Sequence, residues 1–231
     1  MKGDAARAQR ALAEGGGHEG LSPTLVAWLS TEPLATGTVL DVGTGTGRLA
    51  LALAPKARRV LGIDTDAGAL VEARRRARRA GVGNVLFVVG DAERVDYRTL
   101  GRPDLVVAHL CMSDAIIERA AAGVSRGSVL AFAAFHVDQW QETGRVSRFA
   151  YDEERARAAL ETAGFRVEDL EVERDVARFE SAESALQATA RFRPKWEADG
   201  RWPAWERFLA EGGRTLTESR LVIRARREER S

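Results

Sequence analysis

The sequence predicts a three-layer, doubly wound α/β fold, in which helices cover both faces of a mostly parallel sheet of seven strands. Two observations predict it. Short apolar runs rich in β-forming residues alternate with longer stretches of Ala, Arg, Glu and Leu, as in consecutive βαβ units. Several runs are apolar at successive positions, which is typical of strands that helices bury on both faces. The predicted strands are residues 38–42, 59–64, 85–89, 104–110, 128–135, 165–173 and 214–226.

Five helices are predicted between these strands, and local signals mark several of their ends. Asp66 can cap the third helix, Gly81 can end it, and Gly164 follows the fifth helix where a left-handed residue is expected. The last two strands alternate apolar and polar residues, so we expect a sheet edge there, with the last strand antiparallel. The predicted helices are residues 21–30, 46–54, 67–80, 114–123 and 152–163.

Residues 1–231 are predicted to form a single domain, with its core at about residues 21–179 and 214–227. Residues 180–213 break the βα alternation, and we expect a small helical cap insertion there. We interpret most of the large rings in this segment as core, because aromatic side chains dominate ordinary cores. The alternative is that some of them line a substrate pocket. The rings are Phe192, Trp196, Trp202, Trp205 and Phe208.

Composition and charge exclude several classes of protein. The 35 Lys and Arg residues nearly balance 34 Asp and Glu residues, so no global positive field draws the chain to nucleic acid or to a membrane. Cys111 is the single cysteine, and no Cys/His cluster has the spacing of a zinc site, so no metal is predicted. The N-terminus lacks the apolar core of a signal peptide, and we expect a cytoplasmic location with His18 in a loop.

Residues 39–53, VLDVGTGTGRLALAL, place a glycine-rich turn between a strand and a helix that is expected to begin near Thr46. Gly43, Gly45 and Gly47 let a nucleotide-like ligand approach the backbone, where the N–H groups of a helix N-terminus face it. The third glycine of a dinucleotide-binding motif would fall at Arg48, which disfavours NAD and FAD. The turn also lacks the Lys-Ser/Thr ending of a phosphate-binding loop, so ATP or GTP hydrolysis is not supported.

The run from Asp41 to Gly47 resembles motif I of the class I S-adenosylmethionine-dependent methyltransferases. The resemblance covers about residues 36–135 and implies S-adenosylmethionine as cofactor and S-adenosylhomocysteine as product. It places Gly43 and Gly45 beneath the methionine part of the cofactor and Asp41 near its amino group. Gly47 completes the turn.

Two acidic markers follow the turn in the order that this family shows. Asp64 ends the second strand, where a carboxylate can accept hydrogen bonds from both ribose hydroxyls. The resemblance implies that Asp91 accepts the adenine amino group and that Ala92 offers backbone contact to the ring edge. It also implies that His109 and Leu110, after the fourth strand, flank the cofactor on the side that faces the methyl acceptor.

Methyl transfer is an in-line displacement from an activated donor, so the main task of the enzyme is to position the acceptor. A base with a pKa near neutrality assists when the acceptor is a hydroxyl or a protonated amine. His136, just after the fifth strand, is the candidate base. The alternative is a hydrogen-bonded loop histidine, which Asp138 could orient.

The predicted partner is a small-molecule acceptor, which is methylated at O or N. No interaction with a membrane is predicted. Nucleobase amino-methyltransferases resemble one another in a D/N-P-P-Y/F motif, but this chain has AHLCMSDA there, at residues 108–115, which disfavours methylation of nucleobase amino groups. The chain also lacks the Pro-Cys pair that cytosine C5 methylation requires. Asp114 alone does not suggest a metal-dependent catechol site. Two alternatives stay open: an RNA or protein methyltransferase that docks through an arginine-rich surface such as residues 73–81, and a non-catalytic cofactor-binding module.

Overall fold

The computed structural model describes residues 20–228, which form two compact units. The first, which we call the sheet unit, comprises residues 21–134 and 151–171 and the described residues from 221 onwards. The second, the aromatic unit, comprises Gly20 and residues 135–150 and 172–220. His18 lies outside the described residues. The predicted single domain with an insertion at 180–213 stays a prediction.

The helices and strands follow one another in the βα order that the sequence predicts. The strands are β1 (Thr38–Val42), β2 (Arg59–Asp64), β3 (Val85–Val89), β4 (Leu105–His109), β5 (Val129–His136), β6 (Ala150–Tyr151), β7 (Phe165–Arg178) and β8 (Thr215–Arg227). The helices are α1 (Pro23–Ser30), α2 (Arg48–Leu53), α3 (Ala67–Arg79), α4 (Asp114–Gly123), α5 (Glu153–Thr162), α6 (Ala182–Thr189), α7 (Arg193–Ala198) and α8 (Arg201–Ala210).

The sheet has the strand order β3-β2-β1-β4-β5-β8-β7, and β6 pairs with β5. Strands β1 to β5 are paired in parallel, and one strand of the sheet is antiparallel, which confirms the predicted fold class. The chain leaves β1 on one side towards β2 and β3 and returns on the other side with β4, so the strand order reverses between β1 and β4. Open α/β sheets bind their ligands beyond the carboxyl ends of the strands at such a reversal.

The burial of the inner strands explains why their sequences do not alternate. All five residues of β1 are buried, as are the first four of β4, because helices cover both faces of the sheet. The inner face of α3 buries Leu70, Ala73 and Ala77 at helical spacing. Asp66 caps this helix by accepting hydrogen bonds from the Gly68 and Ala69 amides, as predicted.

Some details of the prediction differ from the structure. The sheet has eight strands rather than seven, because the two residues of β6 are too short for a sequence pattern to show. Helix α2 begins at Arg48 rather than near Thr46, because Gly47 has a φ of +79° and is not helical. In addition, β7 extends to Arg178, five residues beyond the predicted end.

In the aromatic unit, a cluster of tryptophans forms the core. Trp140, Trp196, Trp202 and Trp205 are buried, and the Trp196 ring packs edge-on against those of Trp140 and Trp205 at 5.0 and 6.2 Å. The Trp205 indole N–H donates to the Thr189 hydroxyl at 3.1 Å, which satisfies a polar group that would otherwise be buried without a partner. These contacts agree with the interpretation of the rings as core.

Two further features concern the described residues as a whole. Every helix within residues 20–228 is too short or too polar to cross a membrane. In the same range, the His, Cys, Asp and Glu side chains form no group of three or more that could hold a metal ion.

Candidate functional site

The glycine turn at the carboxyl end of β1 adopts a backbone that side chains rarely tolerate. Gly43, Gly45 and Gly47 have φ values of +61°, +52° and +79°, all in the left-handed region. A Cβ atom on Gly43 would collide with the Cys111 thiol, and one on Gly47 would lie 2.8 Å from the Phe87 ring. A Cβ on Gly45 would meet no atom within 4 Å. The turn is therefore packed at both ends and open at Gly45, where a ligand can approach the main chain.

The carboxylate of Asp64 lies directly against this turn. Its Oδ2 atom accepts a hydrogen bond from the Gly45 amide at 2.7 Å, although 19 residues separate the two, and its Oδ1 accepts from the Asp66 amide at 2.9 Å. The parallel register explains the approach, because Val42 pairs with Ile63 and the two strands end together. The structure thus brings together the glycine turn and the acidic end of β2, the two parts of the sequence pattern on which the predicted cofactor site depends.

Asp91 and Ala92 follow the end of β3, next to β2. Val89 pairs with Asp64, so Asp91 leaves the sheet at the same edge as the glycine turn. The Asp91 carboxylate accepts from the Glu93 amide at 2.9 Å, and the carbonyl of Ala92 accepts from the Tyr97 hydroxyl at 2.9 Å. The predicted markers therefore lie at the carboxyl ends of three adjacent strands.

Asp41 fastens the turn to the helix that follows it. Its Oδ2 atom accepts hydrogen bonds from the Thr44 hydroxyl at 2.6 Å and from the Ala50 amide at 3.0 Å. Gly47 has no side chain to cap α2, so Asp41 satisfies an amide of the first helical turn from a distance. Burial raises the pKa of Asp41 to about 7, against the effect of these two hydrogen bonds. Its position near a cofactor amino group stays a prediction.

This raised pKa predicts a pH-dependent stability. Because the pKa of Asp41 is about 7 in the folded chain and 3.8 ordinarily, the folded state retains a proton between about pH 4 and 7 that the unfolded state releases. The stability that Asp41 contributes is therefore lost as the pH rises through 7. Asp41→Asn keeps an acceptor for Thr44 and Ala50 but does not titrate. The free energy of unfolding of the variant minus that of the wild type should therefore increase between pH 4.5 and 7.5 in urea titrations. A constant difference would contradict this assignment.

His109 and Leu110 lie at the carboxyl end of β4, as predicted. Each also makes a hydrogen bond that the sequence does not predict. The His109 Nε2 atom accepts a hydrogen bond from the Ser22 amide at 3.1 Å, while the Ser22 hydroxyl caps α1. Leu110 has a φ of +64° and donates its amide to the Ala133 carbonyl at 2.7 Å. A left-handed leucine costs about 1–2 kcal/mol, and strain of this kind concentrates at functional sites.

Cys111 closes the floor of the turn as a thiol. Its Sγ atom lies 3.0 Å from the Val42 carbonyl, to which it donates, and burial raises the pKa of Cys111 to about 12. Because the thiolate is the nucleophilic form of cysteine, this side chain is not activated for covalent catalysis.

His136 belongs to the aromatic unit, at the end of β5. It is buried, and its Nδ1 atom accepts a hydrogen bond from the Asp138 amide at 3.3 Å. The Asp138 carboxylate lies 3.7 Å from the same nitrogen and binds Arg174 at 2.9 Å. Since Nδ1 is an acceptor, the proton of the neutral ring lies on Nε2. The role of His136 as a base stays a prediction.

A polar network at the start of α4 was not predicted. The Tyr151 hydroxyl donates to Asp114 at 2.5 Å, and the Arg155 guanidinium donates to the other oxygen of Asp114 at 3.1 Å. Arg155 also lies 4.6 Å above the Tyr151 ring. Partial burial opposes ionisation, but these two hydrogen bonds outweigh it and lower the pKa of Asp114. Some 40 residues separate the partners along the chain, and no local pattern signals their contact.

Comparisons with known proteins bear on the same region. Residues 39–127 match the family model described as a methyltransferase domain. An uncharacterised RNA methyltransferase of Halalkalibacterium halodurans is 45% identical over 58 residues, which are 25% of this chain and 13% of that protein. The chain thus spans a small part of the curated relatives that it matches.

Solved structures resemble a much larger part of the chain. The YcgJ protein of Bacillus subtilis has a TM-score of 0.66 at 15% identity, over 90% of this chain and 99% of its own. Phosphoethanolamine N-methyltransferase 2 of Haemonchus contortus, solved in complex with S-adenosyl-L-methionine, has a TM-score of 0.58 at 18% identity, over 89% of this chain and 52% of its own. The chain therefore has the fold of the class I S-adenosylmethionine-dependent methyltransferases, and its residues 39–127 are similar to a methyltransferase domain.

Proposed function

We propose that the protein is an S-adenosylmethionine-dependent methyltransferase that methylates an O or N atom of a small molecule. The observation that carries the proposal is the open glycine turn with Asp64 hydrogen-bonded to the Gly45 amide at the reversal of strand order. A methyltransferase of this fold from Haemonchus contortus was solved with S-adenosyl-L-methionine, which supports the choice of cofactor. When bound, this cofactor would supply an electrophilic methyl group: an acceptor lone pair would attack the methyl carbon in line, and the bond from that carbon to sulfur would break to release S-adenosylhomocysteine.

The residues around the turn suit the parts of such a ligand. The free side of Gly45 gives main-chain contact to the amino-acid part, and the carboxylates of Asp64 and Asp91 can accept hydrogen bonds from ribose hydroxyls and from the adenine amino group. Ala92 offers its backbone to the adenine edge. Gly43 and Gly47 pack against protein atoms and fix the shape of the turn. His109 and Leu110 are proposed to border the donor on the acceptor side.

His136 is the candidate general base of this proposal. The lone pair of its Nδ1 atom accepts the Asp138 amide, so this hydrogen bond would have to break before Nδ1 could take a proton from the acceptor. The Asp138 carboxylate lies 3.7 Å from the same nitrogen.

Two observations favour a small molecule over a nucleic acid. The Cys111 thiol, with its pKa raised to about 12, does not suit covalent attack on a pyrimidine. The arginine-rich helix α3 directs Arg75, Arg76 and Arg79 onto the single carboxylate of Glu72, at 2.7–3.3 Å, which reduces the positive charge of that face. The RNA methyltransferase of Halalkalibacterium halodurans matches only 58 residues, 13% of its own length, so its name does not assign an RNA acceptor to this chain.

The test has a binding arm and a turnover arm. S-adenosylhomocysteine should bind saturably in calorimetry and raise the melting temperature, while NADH should not. Methyl-labelled S-adenosylmethionine should then transfer label to a low-molecular-weight fraction of a cell extract. Label in RNA or protein would replace the small-molecule acceptor, and binding without any turnover would indicate a non-catalytic module. Wild-type protein that bound no S-adenosylhomocysteine would refute the proposal as a whole.

A further inference from the structure

The aromatic unit contains a cavity of about 390 Å³. Its walls come from residues 135–149 and 195–201. Cavities that bind small molecules commonly measure about 300–1,000 Å³ and combine apolar walls with a few polar groups. The volume is therefore sufficient for a compact organic ligand.

Positive charge dominates the polar part of this cavity. The cationic side chains of Arg145, Arg148, Lys195 and Arg201 line it, together with one carboxylate, that of Asp199. Asp199 is hydrogen-bonded to the Nη1 atom of Arg201, so it neutralises that one cation. The other three cations leave a positive wall, which favours an anionic ligand.

Arg201 has a buried N–H group that lacks a hydrogen-bond acceptor. Its side chain is only 9% exposed, and its Nε–H group is buried without a hydrogen-bond partner among residues 20–228. Buried donors are nearly always paired, because an unpaired one loses its hydration without compensation. A carboxylate or phosphate oxygen in the cavity would supply the missing acceptor and could engage a guanidinium in two places.

Aromatic side chains form the apolar part of the cavity. Trp140 lines the cavity, and its ring centroid lies 5.8 Å from the Arg201 guanidinium carbon. The φ of Trp140 is +57°, which is a strained value for a bulky residue. Phe149 lies beneath Arg148 at 4.2 Å. Flat aromatic faces and stacked guanidinium groups accept planar ligands.

We propose that this cavity, the anion pocket, binds a small aromatic carboxylate or phosphate. The acidic group of the ligand lies against Arg201 and the exposed cations, and its ring lies against Trp140 and Phe149. This assignment does not depend on methyl transfer, because every group that carries it belongs to the aromatic unit.

Calorimetry and tryptophan fluorescence on the full chain, without S-adenosylmethionine, test the anion pocket. Phenyl phosphate or benzoate should bind with one-to-one stoichiometry and change the fluorescence, whereas benzylamine, which has a similar ring and a positive charge, should not bind. Arg201→Lys, which removes the Nε–H donor, and Arg145→Gln should each weaken binding at least tenfold. Arg207→Gln is the matched control, because Arg207 is an exposed arginine of α8 outside the cavity lining.

Several results would overturn this proposal. They are the absence of saturable binding of both anions at millimolar concentration, equal binding of benzylamine, and an equal loss in Arg207→Gln. Displacement of phenyl phosphate by single-stranded RNA with a steep salt dependence would assign the cations to nucleic acid instead. If Arg201→Lys fails to fold, Arg145→Gln decides the question, because Arg145 is exposed. A protein that binds S-adenosylhomocysteine but neither anion contradicts the anion pocket alone.

Discussion

Asp64→Ala should reduce the affinity for S-adenosylhomocysteine at least a hundredfold in calorimetry. The proposed ribose contacts are two hydrogen bonds to a charged acceptor, each of which contributes about 1.5–3 kcal/mol, so their loss exceeds the roughly 2.7 kcal/mol that a hundredfold change represents. The same substitution releases the Gly45 amide, which Asp64 holds at 2.7 Å, and loosens the turn itself.

Asp66→Ala is the control for this variant. Asp66 lies two residues further on and caps α3, so its removal should cost about 1 kcal/mol of stability and leave affinity within threefold of the wild type. Equal affinity in Asp64→Ala and the wild type would contradict the proposed donor site. An equal loss in both variants would show instead that any structural disturbance near the end of β2 lowers the affinity for S-adenosylhomocysteine.

Gly45→Ala should separate the fold of the turn from its ligand. The added methyl group meets no protein atom within 4 Å, so the cost to folding is the backbone cost of a left-handed alanine, about 1–2 kcal/mol. The melting temperature should fall by a few degrees. The same methyl group occupies the space proposed for the ligand, so S-adenosylhomocysteine should bind at least thirtyfold more weakly.

Gly81→Ala provides a matched comparison for Gly45→Ala. Gly81 has a φ of +65°, compared with +52° for Gly45, and a Cβ at either position meets nothing within 4 Å. The two variants should lose similar stability in thermal unfolding, but only Gly45→Ala should lose affinity. A Gly45→Ala protein with wild-type affinity would place the ligand away from the turn.

The sequence predicts those parts of the site in which local pattern and geometry coincide. The buried strand β1, the glycine turn after it and the acidic end of β2 each follow from a few neighbouring residues and from the parallel register. The carboxylate of Asp64 therefore lies beside Gly45. The cap formed by Asp66 and the left-handed Gly81 at the end of α3 are equally local.

Other features depend on contacts that no local pattern encodes. The hydrogen bond from the Ser22 amide to His109 joins residues 87 positions apart, and that from Tyr151 to Asp114 spans 37 positions. Leu110 is left-handed although leucine carries no preference for that region, because tertiary packing overrides intrinsic propensity. The anion pocket likewise assembles side chains from two separate segments of the chain.

The state of the Cys111 sulfur has a practical consequence for spectroscopy. Cys111 is the single cysteine of the chain, and its pKa of about 12 keeps it almost entirely protonated at neutral pH. Maleimide and iodoacetamide reagents, which react with thiolates, will modify it slowly. A fluorophore or spin label can therefore be attached selectively to a cysteine engineered on the surface, with the native sulfur left in place beneath Gly43.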